Sequence, residues 1–199
     1  MKTPFSFDAM IENLRTITPR PEIILEEVPA PQKLAQYSFA FTADIAMGHN
    51  VNSAPDGAPE EMASGRFVIL HEPGGQDTWE GEFRCVTFMR AEVDSQMQED
   101  PLLPEVGWNW LLDSLQATGA KILAPSGTVT RVSSASFGKL APRSDGSEIE
   151  IRASWTPVIV ESDEIFSHVY AWCNLISEIA GLPPLPDGVA SIGSSRRRG

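Results

Sequence analysis

Three histidines, two cysteines and a surplus of carboxylates carry the reactive chemistry of this 199-residue chain. Nucleophilic catalysis needs a thiol or hydroxyl beside a base. Cys85 falls on the apolar side of a strand pattern and His168 at the edge of a helical apolar stripe, so the two could meet as a dyad. A packed thiol and a hydrogen-bonded core histidine explain the same residue types and are the expectation. The alternative is an enzyme of unrecognised type that uses His71 and His168 with nearby carboxylates. No GxSxG elbow, P-loop or GxGxxG run occurs, so no catalytic residue is assigned and no cofactor is expected.

Metal binding has two candidate groups: Asp94, Glu99, Asp100 and Glu105, or His71 with Glu72 and Asp77. Neither shows the alternation of an EF-hand loop or an HExxH pair, so both read as solvated loops and no metal site is assigned. Cys85 and Cys173 lie in unrelated segments, which excludes a cysteine zinc site and a disulfide framework.

Hydrophobic periodicity sets the elements that must hold these residues. Residues 6 to 16 predict a short helix with Ser6 as its cap, and prolines from Pro19 to Pro31 stop it. Residues 35 to 47 alternate: Tyr37, Phe39, Phe41, Ala43, Ile45 and Met47 on one face, Gln36, Ser38, Ala40, Thr42 and Asp44 on the other. The second face is made of small residues, so a neighbour could approach it closely. A long loop is expected from His49 to Ser64. FVILHE, from Phe67, predicts a central strand, and residues 79 to 93 a third, with Cys85 and Met89 on one face and Val86 and Phe88 turning the other apolar. Residues 126–137 and 147–157 predict two more strands, and residues 163–180 a helix capped by Ser162 or Asp163. The order helix, three strands, helix, two strands, helix implies an α+β domain over residues 1–186. It would have a mainly antiparallel five-stranded sheet with helices packed on one face, and a flexible tail at 187–199.

The stretch PEVGWNWLLDSL, residues 104 to 115, opens the middle helix with two tryptophans. Positions i and i+2 point about 200° apart, so one core cannot easily take both rings. Trp108 joins Leu111, Leu112 and Leu115 in one stripe, which leaves Trp110 either under the Pro-rich segment or on a partner. The last helix carries Ile165, Val169, Trp172, Ile176 and Ile179, widened past half its circumference by Phe166, Tyr170 and Cys173. This apolar excess nominates Trp110, Trp172, Phe166 and Tyr170 as a binding surface for a protein or peptide, or for a second copy in a homodimer.

The net charge is −12. Residues 51–100 hold three arginines (Arg66, Arg84, Arg90) against eleven acids, which disfavours nucleic acid and favours basic partner segments. Only the tail, Arg196 to Arg198, runs the other way. No run reaches the roughly 18 apolar residues of a membrane span, and no secretory leader pattern opens the chain. A cytoplasmic location is expected.

The runs FRCVTFMRAEVDSQM, DPLLPEVGWNWL, SGTVTRVSS, IRASWTP and AWCNLISEIAGLPPLP together resemble the actinobacterial domain-of-unknown-function family numbered three thousand. That resemblance implies no activity, substrate or site residue. The element order is also similar to that of type III secretion chaperones and the YbjN-like proteins, which are small, acidic, commonly dimeric and bind polypeptides. The combined expectation is a non-catalytic, chaperone-like or adaptor module.

Overall fold

A computed structural model of the protein describes residues 6–46, 61–141 and 146–184. The tail with Arg196 to Arg198, and His49 with most of the expected 49–64 loop, lie outside the described residues. The described residues form a six-stranded sheet and four α-helices. In chain order the elements are α1 (Phe7–Leu14), β1 (Ile23–Val28), β2 (Tyr37–Ala46), β3 (Glu61–Gln76), β4 (Gly81–Glu92), α2 (Ser95–Glu99), α3 (Leu103–Ala117), β5 (Ile122–Ser134), β6 (Gly146–Pro157) and α4 (Ile165–Ile179). The strands lie in the order β1-β2-β3-β4-β6-β5, and every neighbouring pair is antiparallel.

The α+β class and the antiparallel sheet agree with the periodicity, but there are six strands rather than five. The extra one, β1, sits inside the Pro19–Pro31 segment, where Ile23–Val28 pair with Ala40–Ile45 of β2. Six residues between prolines suffice because β1 is an edge strand, which needs hydrogen bonds on one side only. Four strands therefore precede the middle helices, which departs from the order on which the likeness to secretion chaperones rests. The expected loop also ends early, since Glu61–Ser64 already belong to β3, and the acidic loop after β4 contains the short helix α2. Ser6 makes no side-chain cap bond to α1. At α4 the turn is closed by Glu164 Oε2, which accepts from the backbone N–H groups of Val160 and Glu161.

Alternation along the strands sends Phe39, Phe41, Ala43 and Ile45 of β2, Phe67 and Ile69 of β3, Cys85 and Met89 of β4, and Ile149, Ile151 and Trp155 of β6 into one core with α1, α3 and α4. Trp172 of α4 is completely buried there, its ring 5.5 Å from that of Phe67, which lies 6.1 Å from Trp155. Two glycines let α3 come down on the outer strands. Gly107 faces Ile149 and Val129, and the Trp108 ring lies over Gly127 of β5. A Cβ built on Gly127 would collide with the carbonyl oxygen of Arg152 and stand 2.8 Å from Trp108 Cζ3.

Backbone on one side and a large ring on the other leave little room to relax. The Gly127→Ala variant is therefore expected to lose about 1–3 kcal/mol of stability. Chemical denaturation should give a lower midpoint with an unchanged slope; an unchanged midpoint would mean that β5 and α3 are not in this contact.

Candidate functional site

Cysteine chemistry is closed off by burial. Cys85 is fully buried and Cys173 nearly so, and loss of solvent pushes the Cys173 thiol up to about 12 and Cys85 higher still. Neither is a thiolate near neutral pH. His168 is committed elsewhere. Cys85 pairs in register with Trp155 on β6, and the Trp155 indole N–H donates to His168 Nδ1 at 3.1 Å. That bond puts the imidazole proton on Nε2, which is buried with no hydrogen-bond partner among the described residues. Burial pulls the pKa of His168 down to about 4, with Glu164 opposing.

His71 sits in a different setting. It stacks on Phe83 at 4.3 Å and 8°, with Phe7 and Tyr37 at 5.5 and 5.6 Å. Burial lowers its pKa as well, against the pull of Glu82 and Glu72. Three of the carboxylates weighed as metal ligands accept from backbone N–H groups. Asp94 accepts from Met97 N–H, Asp100 from Leu102 N–H, and Glu72 from Gln36 N–H. Among the described residues no group of three or more His, Cys, Asp and Glu could hold a metal ion.

The aromatic residues nominated for binding are not one surface. Trp172 is in the core and open to nothing, which corrects its assignment to a binding surface. The reason is the central place of α4, which meets α1, α3, β2, β3 and β4. A helix touched on so many sides consumes an apolar stripe wider than half its circumference. Phe166 is half-buried and Tyr170 is 38% exposed; they stack on each other at 6.4 Å. Trp110 is half-buried against the main core. One turn further on, Asp113 is close enough to Glu178 of α4 to help raise its pKa, after the larger effect of burial. Trp108 lies over Gly127 at the sheet edge, and both rings pack against the main core, contrary to the expectation that one core cannot easily take both.

The opposite, helix-free face of the sheet is where an opening exists. Ala40, Val68 and Leu70 form a second, smaller cluster there with Val28, Ala30, Ala35, Trp79 and Val86. The segment after β1 folds over one end of this face. Its Pro31 carbonyl accepts from Ser38 Oγ, and its Pro29 carbonyl from Arg66 Nη2. Beside it lies an open trough of about 630 Å³ that crosses β3, β4, β6 and β5. Its floor is Val68, Val86 and Phe88; Arg66 and Arg152 stand at it, and Ser126, Thr128 and Ser154 close the β5 end. Arg152 lies 5.0 Å over the Phe88 ring and pairs with Glu150 at 2.8 Å. Arg131 of β5 donates to the carbonyls of Gln98 and Asp100.

Under the serine end lies Arg84, only 7% exposed. Its Nη1 donates to the Ala124 carbonyl and to Thr156 Oγ1 at 2.9 and 3.1 Å. Its Nη2 donates to Ser126 Oγ and Ser154 Oγ at 3.0 and 2.7 Å. Each of these acceptors is a neutral oxygen. Burial pulls the pKa of this guanidinium down, with Cys85 and Glu80 opposing. The Ala124 bond also fastens a break in β5, where the register with β6 skips between Leu123 and Ser126 and Ala124 adopts φ +45°. Part of this site was visible beforehand, in the small second face of β2 and the apolar Val86 and Phe88. Arg84 was not, because nothing local marks which oxygens surround it.

His168 gives a pH dependence with a definite sign. The folded state holds it neutral down to about pH 4, whereas in the unfolded chain it protonates near 6.5. Its contribution is complete above pH 6.5 and is lost as pH falls toward 4, about 3 kcal/mol in all. Denaturation midpoints of wild type should fall across that window, and His168→Gln should flatten the fall, with His71 supplying a remainder of the same sign. Parallel slopes for the two proteins would refute this.

No curated protein and no solved structure matches the chain. Residues 3–190, from α1 through α4 and beyond, match the family described as Protein of unknown function (DUF3000), and the chain belongs to that family.

Proposed function

We propose that the protein is a non-catalytic binding module that holds a polypeptide segment, apolar and net acidic, in the trough on the helix-free face of its sheet. The observation that carries this reading is the lining. In a chain of net charge −12, the trough has an apolar floor, two arginines and no acidic residue. Residues 51–100 are the acid-rich quarter, yet Arg66, Arg84 and Arg90 alternate onto this face, in register positions opposite Phe88, Leu70 and Ser64. The expectation of a basic partner is therefore reversed for this surface: the field at the trough suits a negative ligand.

The shape supports a chain segment over a small metabolite. Small-molecule sites enclose most of their ligand, whereas this trough is open and runs across four strands. A second copy is the weaker occupant, because a two-fold pairing of this face sets its arginines against their own symmetry mates. An enzymatic reading has less to rest on. His168 is spent on Trp155, His71 on an aromatic stack, and both thiols are held protonated.

Panning a phage-displayed peptide library on wild type and on Val86→Glu tests this. Wild type should enrich sequences that combine aliphatic or aromatic residues with Asp or Glu, and the variant should lose that enrichment while keeping its circular dichroism. Equal enrichment on both proteins, or none on either, would overturn the reading. So would a mass near twice 21.7 kDa by light scattering that collapses to one chain in Val86→Glu, since a second copy would then cover the face.

A further inference from the structure

The trough has two unequal ends. At the Pro31 end, Arg66 gives a guanidinium hydrogen to the Pro29 carbonyl, and at the centre Arg152 already has Glu150 and Phe88. At the β5 end the cation is Arg84, which is buried and surrounded by neutral oxygens. A buried charge normally has a partner of opposite sign. Here the groups between Arg84 and the trough are Ser126 and Ser154, whose hydroxyls line it.

Hydrogen counting sharpens this. Both serine oxygens accept from Arg84 Nη2 and lie 3.3 Å from each other. One hydroxyl hydrogen can bridge the two serines. The other is left to donate outward, polarised by the guanidinium behind it. Thr156 cannot compete, since its hydroxyl donates to the Trp79 carbonyl. The trough wall thus presents an O–H donor backed by a guanidinium whose direct hydrogen-bond partners are all neutral, beside Val86, the register partner of Ser154. A carboxylate fits that wall: it accepts without donating, and its charge supplies the contacting anion that those partners do not. A neutral amide would place an N–H donor against the same field.

We infer that Ser126, Ser154 and Arg84 form a carboxylate-recognition subsite, which reads an Asp, a Glu or a chain-terminal carboxylate of the polypeptide bound in the trough. This rests on the proposed peptide-binding reading and names the specificity element of the same surface. Ser126 and Ser154 touch the ligand, and Arg84 acts through them as a positioning and charging residue.

The test uses the full chain, labelled with nitrogen-15, and two blocked heptapeptides of leucine and phenylalanine with one central glutamate or glutamine. Because Arg84 also fastens β5, its replacement can unfold the edge; the Ser126→Ala/Ser154→Ala double variant removes the hydroxyls and leaves Arg84 in place. Amide-shift titrations should give about tenfold tighter binding of the glutamate peptide to wild type. The preference should fall to within about twofold on the double variant, with the glutamine peptide bound equally by both proteins. A preference that survives the double variant and falls in Arg152→Gln would put the carboxylate at the rim and overturn the subsite. Equal binding of both peptides by wild type would overturn the subsite while leaving the trough reading intact. No binding of either peptide would remove the trough reading itself.

Discussion

The fold turns on one aromatic contact. Trp172 of α4 meets Phe67 of β3, which in turn meets Trp155 of β6. The three rings tie the last helix to the middle of the sheet. Removing a ring of this size from a core costs about 3–5 kcal/mol, whereas an exposed pair such as Arg152–Glu150 is worth less than about 1 kcal/mol. The arrangement also fixes chemistry elsewhere. The Trp155 indole needs an acceptor in a dry interior and takes His168 Nδ1, so the last helix contributes a neutral core group rather than a base. Gly65 completes the contact, since a Cβ there would press on Met89 and Trp172.

Once α4 occupies the centre of one face, the two sides of the sheet have different fates. The helix side gathers nearly all the large apolar residues and becomes solid. The other side keeps Ala40, Val68, Leu70, Val86 and Phe88 with a scatter of arginines and hydroxyls. One strand can serve both faces because side chains alternate: in β4, Cys85 and Met89 enter the core while Arg84, Val86 and Phe88 lie on the opposite face, the last two lining the trough.

The sequence made the long periodic elements legible. β2, β4, β6 and α4 have uninterrupted patterns, and their positions agree with the periodicity closely. β1 was hidden because its prolines read as a break, and only its pairing with β2 makes Ile23–Val28 a strand. The two tryptophans of α3 point apart on a helical wheel, yet both pack against the one main core, Trp108 over Gly127, which the wheel alone does not show. Trp172 illustrates the limit of a helical wheel. A wide apolar arc looks the same whether the excess meets a partner or five other elements of the same chain. The trough depends on long-range meetings, such as Arg84 with Ser126 and Ser154, which are 42 and 70 positions away.

The break in β5 has a consequence for the protein's behaviour in crowded solution. Among the described residues β5 is the outermost strand on its side, paired with β6 alone; an edge of this kind is a template on which further chains could stack into an intermolecular sheet. Thirteen residues of straight edge would be a serious hazard. The irregularity at Ala124 and Pro125, bonded by Arg84, interrupts that edge between Leu123 and Ser126. One buried guanidinium therefore joins the break in this exposed edge to the serine end of the trough, so a change at Arg84 acts on both at once.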